Sequence, residues 1–185
     1  MKVVPAKVEK RKKVTIIRLA RKTYLPERKF CLSRFLRTIK KIFVGEKEYK
    51  EIDWERTAEI ILDTFGWNEK YFLAISDEKF RLISLEEMKK LLAEDDTDQL
   101  PYIQEYADCD DFADVLQGSL TKKTWTIGIA LGTIWWFTKD FGHAQNFFID
   151  DKLNLYIIEP QNDEIMTWSD IKKQYPDAKP FFVKI

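Results

Sequence analysis

A chain of 185 residues, 45% hydrophobic and 14% aromatic, holds enough apolar material for one domain with a substantial appendage, which excludes a disordered polypeptide. Its formal net charge is zero, yet residues 1–50 carry 17 Lys/Arg against 4 Asp/Glu and residues 51–120 carry 6 against 19, a reversal from +13 to −13. Such asymmetry fits either a basic arm for nucleic acid or a membrane surface, or two halves that attract each other. Two cysteines, Cys31 and Cys109, rule out a disulfide framework, and no apolar run reaches a membrane-spanning length. A soluble, cytoplasmic protein without a signal peptide is expected, and abundant Lys and Glu with only four Asn lean toward a thermophilic source.

In chain order, the basic opening around "VTIIRLA" predicts one or two short strands. "SRFLRTIKKIF" sets Phe35, Leu36, Ile39, Ile42 and Phe43 on one helical stripe, with Ser33 as cap and Gly45 as stop. Cys31, at the entry to that helix, is read as structural. A second helix is expected over "DWERTAEIILDTFG", from Asp53 as N-cap to Gly66 at the C′ position. "YFLAISDEKFRLIS" reads as a hairpin turning at Asp77–Glu78. "SLEEMKKLLAE" carries a capping box, Ser84 to Glu87, and an apolar stripe of Leu85, Met88, Leu91 and Leu92.

The acidic "EDDTDQLP" is a loop. After it, Asp108 caps a helix that buries Phe112, Val115, Leu116 and Leu120, which puts Cys109 in the first turn. "TWTIGIALGTIWWF" alternates large residues (Trp125, Ile127, Ile129, Leu131) with small ones (Thr126, Gly128, Ala130, Gly132), as a strand with one small face would. Trp135 and Trp136 supply core and edge packing, with one ring able to line a cleft. "HAQNFFID", "LNLYIIEP" and "FFVKI" are closing strands, and "SDIKKQY" is a short helix capped by Ser169. Helices early and strands late predict an α+β fold.

The sole histidine, His143, opens one of these strands. Cysteine chemistry needs a thiolate, an imidazole to move its proton and a third group to hold the ring. A helix N-terminus offers Cys109 both dipole and free N–H groups. The tight turn "DDKLN" pairs the strands on either side of it in a register that carries His143 alongside Glu159. Asn146 and Gln161 are alternative third members.

Together "DCDDFA", "GHAQNFFID" and "NLYIIEPQND" resemble the papain-like Cys–His–Glu protease domain at the C-terminus of the fairy-ring mushroom (Marasmius oreades) agglutinin and its relatives. The resemblance covers roughly residues 70 to 185 and leaves out that protein's sugar-binding half. It implies a papain-like α+β fold, with the nucleophile helix packed on an antiparallel sheet, over residues 51–185. Residues 1–50 then form a basic N-terminal segment that packs onto the same domain or stands apart. It further implies Cys109 as nucleophile, His143 as general base, Glu159 as orienting residue and Gln104 at the oxyanion hole, acting on a protein or peptide substrate.

Calcium dependence is also a family property. Carboxylates crowding Cys109 disfavour a thiolate, and a bound Ca²⁺ would cancel that penalty. Asp110 and Asp111 are the expected ligands, with Asp108, Asp114, Asp150, Asp151 and Asp163 as further candidates. Two other readings stand beside the calcium-assisted peptidase. "GHAQNFFID" also resembles transglutaminase-like and cell-wall amidase domains. The other is a non-catalytic binding module with a basic arm.

Overall fold

The computed structural model describes residues 8–11, 14–18, 47–66 and 70–185. The predicted helix over residues 33–43, its Ser33 cap, its Gly45 stop and Cys31 lie outside them. Strands β1 (Val8–Arg11) and β2 (Val14–Arg18) form an antiparallel hairpin where short basic strands were expected. β3 (Lys50–Asp53) leads into α1 (Trp54–Phe65), whose Asp53 side chain accepts the Arg56 amide at 2.8 Å. Gly66 ends α1 with φ of 104°, a conformation that an L side chain resists.

β4 (Phe72–Ile75) and β5 (Lys79–Leu82) follow. α2 (Leu85–Ala93) starts at the expected Ser84–Glu87 capping box and buries Met88 and Leu92. α3 (Cys109–Lys123) begins after Asp108, and the last third of the chain supplies β6 (Leu131–Phe137), β7 (Gly142–Ile149), β8 (Leu155–Glu159), β9 (Glu164–Met166), α4 (Trp168–Gln174) and β10 (Lys179–Lys184).

Eight strands make one sheet in the order β1-β2-β4-β10-β6-β7-β8-β9, while β3 and β5 pair separately. One apolar cluster joins a face of the sheet (Leu73, Ile134, Trp136, Phe147, Val183) to Ile61, Leu62 and Phe65 of α1 and to Trp168 and Ile171 of α4. A second joins Leu131, Phe148 and Ile158 to Met88 and Leu92 of α2 and to Leu116 and Leu120 of α3. The period-2 alternation along β6 to β8 assigns side chains to these two faces.

Several expectations are corrected here. β4 and β5 do not form a hairpin. β4 lies between β2 and β10, parallel to both, and β5 turns away to pair with β3. Residues 124–127 form turns, so β6 starts only at Leu131 and Trp125 is 77% exposed. Val115 is exposed on α3 rather than buried. Thr167, not Ser169, caps α4, through its hydroxyl and the Asp170 amide. The predicted papain-like α+β fold on an antiparallel sheet gives way to a β-rich fold with few helices. It is dominated by a mixed sheet, because β4 takes both of its partners in parallel.

Gly132 marks the tightest packing in the sheet. A Cβ there would overlap the Lys184 carbonyl oxygen and stand 2.5 Å from Cζ of Phe147. Neither can retreat, since one is backbone and the other is wholly buried. Gly132→Ala is therefore expected to destabilise the fold by about 1–3 kcal/mol, read as a lowered thermal midpoint, whereas the same change at exposed Gly118, where nothing lies within reach, should not.

Candidate functional site

Helix α3 is fixed to the sheet by its buried stripe of Phe112, Ala113, Leu116 and Leu120. Polar contacts set its height: Asn146 Nδ2 on β7 donates to the Ala113 carbonyl at 2.9 Å, and Thr133 of β6 bonds Gln117. At its N-terminus Asp111 Oδ2 accepts the Asp108 amide at 3.3 Å. This placement holds the half-buried Cys109 as the first helical residue, beside His143.

β7 and β8 are paired two residues away from the register expected from the turn: Asn146 faces Ile158, so Gln145 faces Glu159. An even shift keeps His143 and Glu159 on the same face, now as diagonal neighbours that long side chains bridge. His143 Nε2 and Glu159 Oε2 lie 2.7 Å apart. The ring's other nitrogen, Nδ1, is therefore the one left to serve Cys109. Gln145 Nε2 donates to the same carboxylate oxygen at 2.9 Å while its Oε1 accepts from Trp136 Nε1 at 2.8 Å, and the Gln161 amide donates to Glu159 Oε1 at 3.3 Å.

Burial alone would lower the His143 pKa, but its hydrogen bonds with Cys109 and Glu159 and the charge of the carboxylate outweigh burial and hold it up to about 9. Burial likewise pushes Glu159 upward, and the bonds from His143 and Gln145 reverse that, leaving it below the ordinary value. At neutral pH the pair is an imidazolium and a carboxylate.

These two side chains stand at one end of a cleft of about 470 Å³. Its aromatic wall is Trp136, Phe141 and Tyr175, and its polar lining includes Gln145, Gln161, Asn162 and Gln174. Trp136 meets the His143 ring edge-on at 5.5 Å between centroids, and Phe141 meets Tyr175 at 5.3 Å. The structure thus brings Cys109, His143 and Glu159 together. Gln104 stands exposed in the turn closed by the Ile103–Ala107 pair, and no described hydrogen bond links it to Cys109.

Asp108, Cys109 and Asp110 offer donor atoms within 4.8 Å of one another. A hydrogen bond from Asp108, together with burial, raises the Asp110 pKa. Asp111 is occupied by its capping bond. Asp150 is a turn anchor, accepting the Lys152 and Asn154 amides. Asn146, an alternative third member, serves the α3 contact instead. Sequence reasoning missed Gln145, Phe141 and Tyr175. Gln145 was detectable, since it shares the strand parity of His143.

No protein-family profile and no curated protein matches this sequence. Solved structures do. One described as "PSL1a-E64 complex" superposes with a TM-score of 0.62 at 19% identity, covering 73% of this chain and 51% of that one. Another, the Polyporus squamosus lectin bound to the human-type influenza-binding epitope Neu5Aca2-6Galb1-4GlcNAc, superposes with a TM-score of 0.61 at 18% identity, covering 73% of this chain and 49% of that one. The chain shares the fold of the part it superposes on and spans about half of their length.

These matches correct three expectations. The chain is not assigned to the papain-like protease domains of the fairy-ring mushroom agglutinin type, because its neighbours in fold are structures of a lectin. The papain-like fold gives way to one that resembles the superposed half of the lectin. Lectin neighbours in fold conflict with the cysteine-protease, hydrolase and catalytic-triad reading, and they give no support to a peptide substrate. Among the described residues no helix is long and apolar enough to cross a membrane.

The His143–Glu159 pair makes stability pH-dependent with a definite sign. A histidine raised from 6.5 to about 9 contributes fully below pH 6.5 and loses that contribution as pH rises through 9. Glu159, being lowered, loses its contribution as pH falls below its ordinary range. The gap in thermal midpoint between the native chain and Glu159→Gln should be widest between about pH 4.5 and 6.5 and narrow by several degrees toward pH 10. A gap constant across that range would exclude the ion pair.

Proposed function

We propose that this chain is a non-catalytic binding module that holds a carbohydrate in the cleft over His143 and Glu159. The observation that carries this reading is the composition of the cleft, whose lining combines the aromatic rings Trp136, Phe141 and Tyr175 with the side-chain amides of Gln145, Gln161, Asn162 and Gln174. Sugars present exactly opposed demands, since their C–H faces stack on aromatic rings and their hydroxyls need fixed donors and acceptors. The lectin fold of the neighbours supports it. Within the cleft, Gln145 is oriented by Trp136 and Glu159 and so cannot swing, which is what a selective polar contact requires.

His143 and Glu159 supply charged groups to the lining, with Cys109 beside His143. An imidazolium at neutral pH is a hydrogen-bond donor, and here it holds the thiol and the carboxylate in place. The basic residues 1–50, at +13, are the part of the chain suited to an acidic partner, nucleic acid included.

Isothermal titration with Neu5Acα2-6Galβ1-4GlcNAc and with Galβ1-4GlcNAc tests the reading. Saturable binding is expected, weakened about fivefold in Phe141→Ala, which removes a 44% exposed ring from the wall. Absence of binding by any saccharide at millimolar concentration would refute it.

Calcium remains part of the proposal. Asp108 and Asp110 crowd each other enough to raise the Asp110 pKa, and a hard divalent cation would relieve that repulsion, although the thiol between them is not a calcium ligand. Millimolar Ca²⁺ should raise the thermal midpoint over that in EGTA, and Asp110→Asn should abolish the difference.

A further inference from the structure

We propose that the surface formed by residues 94–115 docks a lysine- and arginine-rich polypeptide that also carries apolar side chains. Between Leu91 and Thr121 the chain has nine Asp/Glu and no Lys or Arg. Asp95 is spent internally: it accepts from Ser119 and Thr97 and lies 3.5 Å from Lys123 Nζ. Glu94, Asp96, Glu105, Asp110, Asp111 and Asp114 are exposed.

Charge alone would suit any cation. The same stretch, however, holds five of the ten large hydrophobic side chains that are exposed among the described residues: Leu100, Tyr102, Ile103, Tyr106 and Val115. Isolated exposed apolar residues need no explanation, but half of those exposed falling within one short acidic stretch marks it as a candidate interaction surface.

The loop that presents them is already formed. Ile103 and Ala107 exchange backbone hydrogen bonds at 3.0 and 2.7 Å, and Glu105 turns the chain with φ of 65°. Tyr106, 85% exposed, and Tyr102 offer ring faces to a guanidinium or ammonium group, a contact that complements the carboxylates around them. A metal ion or simple polyamine would leave Leu100, Ile103 and Val115 unused, whereas a polypeptide with mixed basic and apolar side chains engages both. This surface is separate from the cleft lining, so the inference does not rest on saccharide binding.

The test is fluorescence anisotropy of a labelled KRLKRLKRL peptide with the full chain in EDTA. Binding is expected at about 50 mM salt and should weaken at least about tenfold at about 500 mM. The triple variant Asp110→Asn/Asp111→Asn/Asp114→Asn, which keeps side-chain acceptors at the helix start, should weaken it about tenfold with little change in thermal midpoint. Tyr106→Ala should weaken it about threefold. Self-association of the chain at low salt that disappears in the triple variant would support the same surface, with residues 1–50 of another copy as the basic segment. No peptide binding at low salt, unchanged affinity in the triple variant, or equal affinity for the corresponding Glu/Leu peptide would each overturn the proposal.

Discussion

The antiparallel ladder β6–β7–β8 is the constraint on which the site depends. It sets Trp136 directly across from His143 and brings Glu159 opposite Gln145, so that four side chains from three strands converge without help from a loop. Helix α3 is then positioned against the other face of the same ladder through Asn146 and Thr133, which delivers Cys109 to the strand end where His143 sits. A site built on paired strands has little freedom to relax. That rigidity explains how a buried imidazolium, costly by itself, is maintained: the carboxylate that stabilises it cannot drift away.

Electrostatics divide the molecule into districts. In the cleft, positive His143 and negative Glu159 neutralise each other among amides and rings. A few residues away, the start of α3 is unrelieved acid, where a hydrogen bond from Asp108 and burial raise the Asp110 carboxyl above its ordinary value. Cys109 belongs to both districts. Its neighbour on one side is a cation, and on the other sides are carboxylates that oppose any negative charge on sulfur. One-letter adjacency, "DCDD", shows only the second influence. The first comes from a strand 34 residues further on, since 143 less 109 is 34.

Local structure was legible wherever a cap or a stop fixed it. Asp53, Ser84 and Asp108 each start helices where their side chains dictate, and Gly66 ends one. The closing strands were legible from their apolar runs. Pairing was not. β4 and β5 look like a hairpin because they are adjacent and alternating, yet nothing local records that β4 pairs with the distant β2 and β10 while β5 pairs with β3. The register of β7 with β8 was missed by two residues for a related reason: Asp150 anchors a wider turn through the Lys152 and Asn154 amides. The convergence of Cys109, His143 and Glu159 survived that error because strand parity survived it. The overall fold did not follow from the motifs, since motifs of a few residues say nothing about an eight-stranded sheet. Phe141 and Tyr175 were invisible because they sit in a turn and at a helix end, where no periodicity announces a cleft.

The central place of β4 also bears on how the molecule is assembled. Its two partners come from opposite ends of the described chain, β2 near the beginning and β10 at the close. The middle of the sheet therefore cannot be completed during synthesis until β10 has left the ribosome. Until then the edges of β4 and β6 are open to mispairing, and pairing Phe182 with Phe72 closes a loop of 110 residues, 182 less 72. The sheet is in effect sealed by β10.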